Sequence, residues 1–496
     1  MKEGYIPKDQ RKTILLLGDD IRLHSGVGTM SREIVLNTAH RFNWVNLGAA
    51  VKHPEEGKAY DLSPDANIET GLKDADVKVI PCTGYGNPQQ IRNLIKEFKP
   101  DAIVHFTDPR YWVWLYRMEN ELRQNIPLVF YTIWDDVPYP MYNREYYESD
   151  DMLLCISKQT KNIVENVLRD RPKEDWAVKY VPHGIDEKKY FPIVGGTDLE
   201  NMNIFKNHKF EEWKIKEEPE FIVLWNSRNI RRKNTSDLIL SWRTFLDQLP
   251  EEKAKKCLLI LHTDPVDENG THLPNVIENF CDPEIHNIKF SRGKVSYNEL
   301  NYLYNMSDAH MFFTDNEGWG LGLTESLTAG TMIIAPVQGG MQDQMRFEDE
   351  NGDWIDFTTE HASNADGKYK KCGEWAIPMF PKTRSVKGSI PTPYIFASQV
   401  SIEDGAIALM KCYKMGKEER KRRGLAGREW VMSDESKFTA KAMGQNFIDN
   451  LDVLFDKWKP RKRFEVIKVQ EDSVPSSYNP NPISLTPEFI KEIQSI

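Results

Sequence analysis

The stretch Asp315-Asn-Glu-Gly-Trp-Gly-Leu-Gly-Leu-Thr-Glu-Ser-Leu-Thr-Ala-Gly330 decides how this chain is read. It follows an apolar run, His310-Met-Phe-Phe-Thr314, that reads as a strand. It leads into a helix whose apolar side is Leu323, Leu327 and Ala329, with Gly330 as a natural stop. A strand, a glycine-rich turn and a helix start together make a pocket for an anion. The N–H groups and dipole of the helix start favour phosphate. Gly318, Gly320 and Gly322 let the backbone come close to it.

Two carboxylates complete the stretch. Glu317 lies in the turn and Glu325 inside the helix, pointing back toward the turn. Carboxylates accept hydrogen bonds and suit sugar hydroxyls. One can hold a sugar and the other a ribose, with diphosphate between them. The plain structural alternative is a glycine-rich turn capped by acids.

Strands and helices alternate on both sides of this stretch. Upstream strands are expected at Lys12–Gly18, Trp44–Gly48, Val77–Ile80, Ala102–Phe106, Pro127–Ile133 and Asp151–Ile156. Helices fall at about Met30–His40, at Pro88–Phe98 and at Ser157–Leu168. A second cycle begins at Phe221–Trp225 and continues through Cys257–Leu261, Ile288–Phe290, Ala309–Phe313 and Met332–Ala335. Such alternation predicts parallel sheets covered by helices, with ligands beyond the carboxyl ends of the strands. That places His105 to Asp108 and Trp134-Asp135-Asp136 at the cleft. Residues 194–218 are polar and read as a linker, and the pattern breaks down from about 357 to 400. Helices return at Ile402–Tyr413, Lys417–Met432 and Lys437–Trp458. The tail 459–496 opens on Lys459-Pro-Arg-Lys-Arg463 and reads as an extended arm.

The central stretch resembles the Glu-x7-Glu signature of retaining glycosyltransferases with the GT-B fold, chiefly glycosyltransferase family 4. The family phrase is close to E-G-F-G-L-P-x-x-E-A-x-A-x-G. Here Trp319 replaces the Phe, Gly322 the Pro and Ser326 the Ala, and both glutamates keep the spacing. Tyr180-Val-Pro-His-Gly-Ile-Asp186 with Phe191-Pro192 resembles the phrase that closes the family's first domain.

The resemblance implies an α/β GT-B architecture: two doubly wound Rossmann-like domains facing across a cleft, with a C-terminal helix crossing back. The implied boundaries are 1–193 for the acceptor domain, 194–218 for the linker, 219–435 for the nucleotide-sugar donor domain, 436–458 for the crossover helix and 459–496 for the tail. It also implies roles. Gly26 and Gly28 approach the donor phosphates. Gly320, Leu321, Gly322, Leu323 and Glu325 bind the donor. Glu317, Arg228 and Lys233 carry the chemistry, the two cations answering the diphosphate. In the basic turn Arg228-Asn-Ile-Arg-Arg-Lys233, Arg231 and Arg232 read as surface charges. His105, Asp108 and Asp135 are candidates for the sugar or the acceptor. The family's histidines at two of these places are replaced by Thr107 and Trp134, so the acceptor end is less well matched than the donor end. Gln338-Gly339-Gly340 matches a family glycine pair, with Gln342 and Asp343 near a family glutamate.

The implied reaction moves a sugar from a nucleotide-diphosphate sugar to a carbohydrate or other hydroxyl acceptor, without a metal or resident cofactor. A same-fold epimerase or phosphorylase, a transferase acting on a base of DNA, and a non-catalytic carbohydrate-binding protein are the alternatives. The composition fits a globular chain, with 40% hydrophobic and 28% charged residues. A net charge of −10 argues against a nucleic-acid partner. The six cysteines show no C-x-x-C pair, which fits reduced thiols rather than a disulfide framework or zinc site. No apolar run approaches the roughly 20 residues of a membrane helix, and MKEGYIPKDQRK lacks a secretory apolar segment. Both point to the cytoplasm.

Overall fold

The computed structural model of the 496-residue chain describes residues 4–51 and 55–462. Three sheets organise it. The first has eight strands: β1 (Lys12–Asp19), β2 (Phe42–Val51), β3 (Tyr60–Asp61), β4 (Val77–Thr83), β5 (Ala102–Phe106), β6 (Leu128–Thr132), β7 (Met152–Cys155) and β8 (Val178–Tyr180). Their order is β3-β4-β2-β1-β5-β6-β7-β8. All pairs are parallel except β3 with β4. The second has six: β9 (Phe221–Asn226), β10 (Cys257–His262), β11 (Ile288–Ser291), β12 (Ala309–Met311), β13 (Met332–Pro336) and β14 (Ala376–Met379), in the order β11-β10-β9-β12-β13-β14, all parallel. The third is an antiparallel hairpin, β15 (Thr383–Ser389) and β16 (Thr392–Gln399).

The central strands are apolar because helices cover both faces. Ile14, Leu15, Leu16 and Leu17 are buried, as are Val223, Leu224 and Trp225. In each sheet the strand order reverses at one place, beside β1 in the first and beside β9 in the second. Loops leaving neighbouring strands diverge there and open a crevice. The crevice of the second sheet lies between the loops after β9 and β12, which carry Arg228–Lys233 and Glu317.

The last helix, Ala440–Lys457, returns to the first sheet. Thr439 caps it, its hydroxyl accepting from the Ala442 N–H at 3.1 Å. Met443, Phe447, Leu451 and Leu454 fall three or four apart and are buried. The Phe447 ring meets Tyr131 of β6 edge-on at 5.0 Å, and Arg41 binds Asp452 at 2.6 Å. The approach explains Gly184: a Cβ there would lie 2.2 Å from the Thr439 carbonyl oxygen. At this crossing the Ile185 N–H donates to the Phe438 carbonyl and the Ala440 N–H to the Ile185 carbonyl, both at 2.9 Å.

Two stretches differ from expectation. The polar segment 194–218 contains a helix, Gly196–Glu212, anchored by the buried Met202 and Phe210. Two apolar anchors in seventeen residues leave too little periodicity to read. The patternless segment 357–400 contains β14 and the whole hairpin. Strand β14 carries Pro378, which an edge strand tolerates because one side of its backbone is unpaired. Beyond residue 462 the expected arm lies outside the described residues. Among the described residues no helix is long and apolar enough to cross a membrane.

Replacing Phe447 with Ala should cost about 3–5 kcal/mol, the usual penalty for emptying a buried aromatic site. Denaturant titration followed by tryptophan fluorescence reads it. An unchanged midpoint would mean that the returning helix does not stabilise the first sheet.

Candidate active site

The loops after β9 and β12 are joined before any ligand arrives. The Asp315 N–H donates to the Arg232 carbonyl at 2.7 Å, and Asn234 Nδ2 donates to Asp315 Oδ1 at 2.7 Å. The first loop turns through Arg231–Lys233 and leaves by Asn234, in the left-handed region at φ 45° that asparagine tolerates. This turn brings two cations onto one acid. Lys233 and Glu317 form an ion pair, and Arg232 Nη1 reaches the same carboxylate oxygen at 3.0 Å. The Lys233 ammonium also sits 4.5 Å from the centre of the Phe312 ring.

Burial opposes the charge of Glu317, but Lys233 and Arg232 outweigh it and hold the carboxyl at about 2. Burial pushes Lys233 down to about 8, against the pull of Glu317. Both groups are therefore ionised between those two pH values. The acid's contribution to stability is complete above its ordinary range near 4.5 and is lost as pH falls through about 2.

Glu325 lies on the helix Leu321–Thr328, where the Tyr304 hydroxyl donates to it at 2.6 Å. Burial raises its pKa. Gly320 precedes the helix at φ 86°, and no side chain caps the first N–H groups. The other two glycines of the turn sit at close packing contacts. A Cβ on Gly318 would lie 3.0 Å from the Ile133 carbonyl oxygen, and one on Gly322 would lie 3.0 Å from His310. Gly339 is the tightest position, since a Cβ there would lie 1.8 Å from the Glu317 carbonyl oxygen. The matched glycine pair thus seats the acid loop, and the Gly340 N–H donates to Gly318 at 3.0 Å.

The first sheet meets this cluster through two loops. Gly26 starts the helix Gly26–Thr38, and a Cβ there would lie 3.5 Å from the Leu321 side chain. Gly28 is needed by its own turn, because a Cβ would lie 2.7 Å from the Leu23 carbonyl. The loop after β6 brings Asp135 and Asp136 beside Arg232, and Asn316 Nδ2 donates to Asp136 at 2.6 Å. Burial raises the pKa of both aspartates, and the charge of Asp135 raises Asp136 further. The two lobes are also tied directly. The Lys158 N–H donates to Asp343 at 2.9 Å, and Gln342 donates to Gln159 at 2.6 Å.

Three of the expected site residues are engaged elsewhere. Arg228 does not join Glu317; its guanidinium binds Asp267 at 2.7 Å and its side chain is 65% exposed. Arg232, read as a surface charge, takes that place. The spacing could not separate the arginines, because the choice depends on how the 3₁₀ turn winds. His105 is wholly buried, with Nδ1 2.7 Å from the Tyr116 hydroxyl, and burial holds it near 3 as a neutral ring among aromatics. It does not face the cleft. Asp108 does line the cleft but is engaged by Arg110, whose Nε donates to it at 2.8 Å.

The hairpin β15–β16 is the element that sequence reasoning missed. It closes over a cavity of about 540 Å³ between the two lobes. Asn316 Nδ2 donates to the Phe396 carbonyl at 2.6 Å, Lys387 binds Asp315 at 3.1 Å and Tyr142 donates to the Tyr394 carbonyl at 2.8 Å. Among the described residues no group of three or more His, Cys, Asp or Glu is placed to hold a metal ion.

No family model matches the chain. No curated protein matches it either. Solved structures do. A glycosyltransferase from Rickettsia africae superimposes with a TM-score of 0.60 at 13% identity, over 90% of this chain and 100% of the other. HepE of Anabaena, in complex with UDP and glucose, gives 0.59 at 13% identity, over 90% and 100%. Sucrose-phosphate synthase from Thermosynechococcus elongatus gives 0.60 at 14% identity, over 90% and 100%. The fold is GT-B. At such identities the likeness speaks for the fold alone.

Replacing Glu317 with Gln should lower the Lys233 pKa below about 8, because the pair's attraction is lost while the burial remains. An NMR titration of lysine side chains labelled at the ε-carbon reads this. An unmoved lysine would mean that the pair does not form.

Proposed function

We propose that this chain is a retaining glycosyltransferase of the family 4 type. It moves a sugar from a nucleotide-diphosphate sugar to a hydroxyl acceptor, with the donor on the second lobe and the acceptor on the first. The observation that carries this reading is the placement of Lys233 and Arg232 on Glu317, beside an uncapped helix start at the reversal point of the second sheet. Such a place attracts an anion, and the cations can exchange their carboxylate for a diphosphate. The complexes of the structurally similar HepE with UDP and glucose agree with that use.

In this reading Arg232, Lys233 and the N–H groups after Gly320 neutralise the departing diphosphate. Fixed cations in a partly desolvated site stabilise that charge without reorganisation. Glu325, steadied by Tyr304, holds a ribose hydroxyl. Glu317 holds the transferred sugar as positive charge develops at its anomeric carbon. The departing phosphate takes the acceptor's proton on the face it leaves, which retains configuration. Closure of the lobes excludes water, which competes as an acceptor. With these cations in place the reaction needs no metal, and activity should survive EDTA. Loss in EDTA with recovery in Mg²⁺ or Mn²⁺ would overturn that point.

Thermal shift with UDP-, GDP- and ADP-sugars identifies the donor, since a ligand bound only by the folded state raises the midpoint. NMR of the product then reads the anomeric configuration. An inverted product, or no response to any nucleotide sugar, overturns the reading.

The cations should separate clearly. Lys233→Ala and Arg232→Ala should each slow transfer about 10²–10³-fold, the usual scale for removing one donor to a developing charge. Arg228→Ala should change little. Equal losses at all three positions would mean that the diphosphate lies closer to Arg228 than proposed. The glutamates should divide differently. Glu325→Gln should raise the donor KM with little change in kcat, and Glu317→Gln should lower kcat more than donor affinity. Donor-dependence curves at saturating acceptor read both, and reversed defects would exchange the two roles.

Nucleotide affinity should fall as pH rises through about 8, where Lys233 loses its proton. Lys233→Arg should hold its affinity at higher pH, because arginine stays charged. Calorimetry between pH 7 and pH 10 checks the pair of curves, at roughly the pH values that bracket a lysine lowered from its usual pKa near 10.4.

A further inference from the structure

The hairpin-covered cavity contains polar groups that the fold leaves unused. Asn143 is 1% exposed, and neither its Oδ1 nor its Nδ2 makes a hydrogen bond. Tyr147 is wholly buried, and its hydroxyl has Asn143 and Thr132 as polar neighbours without the alignment of a full hydrogen bond. Both residues line the cavity. A buried polar group without a partner costs free energy, and native structures rarely keep several together. A ligand that donates and accepts hydrogen bonds would satisfy them.

The charges of the cavity narrow the ligand further. Its three cations are engaged: Arg110 with Asp108, Arg232 with Glu317 and Lys387 with Asp315. Among the described residues, then, no cation of the cavity stands without a carboxylate. Asp135 and Asp136 add acidic groups to the same lining. A phosphorylated acceptor would have to break one of these pairs and lie near Asp135, since burial and the charge of Asp135 keep Asp136 protonated at neutral pH. A donor diphosphate held by Arg232 and Lys233 would leave that lining more negative still. The cavity's volume of about 540 Å³ suits a small molecule or one end of a larger one.

We propose that this cavity is the acceptor chamber, that hairpin β15–β16 is its selective wall, and that it takes a neutral, hydroxyl-rich ligand, a sugar without phosphate. This rests on the glycosyltransferase reading and specifies the acceptor of the same site. The hairpin takes part in the selection because Lys387, Ser389, Thr392 and Ile395 line the cavity together with Asp135 and Asn143.

Saturation-transfer NMR on the full chain, alone and with UDP, tests it. Glucose, galactose, mannose and N-acetylglucosamine are compared with glucose 6-phosphate and mannose 6-phosphate. At least one neutral sugar should bind, and the phosphates should bind about tenfold more weakly or worse, a difference of about 1.4 kcal/mol. Ser389 is exposed, so Ser389→Trp should fill the chamber without disturbing the core and abolish the neutral signal. Asp135→Asn should narrow the gap between neutral and phosphorylated sugars. The proposal is overturned if the phosphates bind as well as the neutral sugars, if no neutral sugar binds, or if Ser389→Trp leaves the signal unchanged. Calorimetry with UDP, GDP and ADP on the same proteins separates the two levels. Failure of all three nucleotides removes the glycosyltransferase reading, whereas nucleotide binding without any neutral sugar removes only the chamber.

Discussion

The ion pair of Lys233 with Glu317, steadied by Arg232, is the constraint on which the second lobe's cleft depends. A buried lysine and a buried carboxylate are each costly alone, and removing either leaves the other uncompensated. The fold therefore holds both loops in fixed register. Asp315 binds the Arg232 backbone, Asn234 binds Asp315, and Gly339 makes room for the Glu317 backbone. In the proposed function the same constraint serves the chemistry, because two cations held on one carboxylate can be transferred to an anionic ligand without new construction.

The first lobe meets that cluster from several directions. Gly318 packs on Ile133, Gly26 lies close to Leu321, and Lys158 and Gln159 bind Asp343 and Gln342. The returning helix strengthens the same closure, since Gly184 receives the Thr439 backbone while His183 and Phe438 both face the Trp319 ring. Trp319, which replaces a phenylalanine in the family phrase, also donates from Nε1 to Thr324 at 2.9 Å. The phrase is thus anchored at both ends, by a hydrogen bond within the acid loop and by ring contacts with the opposite lobe and the crossing segment.

Hairpin β15–β16 adds a third contributor to the cleft. Strand β15 is exposed throughout, whereas β16 is mostly buried or half-buried and makes the contacts with both lobes. Phe396 bonds to Val137 and Asn316, and Tyr394 to Met141 and Tyr142. It bridges the loop after β6 and the loop after β12, the two segments that bring Asp135 and Glu317 together.

The sequence alone determined the doubly wound architecture. Continuous apolar runs at Ile14–Leu17 and Phe221–Trp225 permit little but buried parallel strands, and their alternation with helical segments sets the layers. It also put Lys233 and Glu317 on turns that follow two strands of the second cycle, and the structure brings those two side chains together. Tertiary structure decided the rest. Which arginine meets Glu317 follows from the winding of a three-residue turn, and Arg228 is drawn away by Asp267, a residue distant in sequence. His105 was lost to the core because an alternating sheet residue faces whichever layer its register dictates, and here that layer is aromatic. The hairpin and the helix Gly196–Glu212 stayed hidden because their few apolar anchors bury against distant partners, so local periodicity never records them.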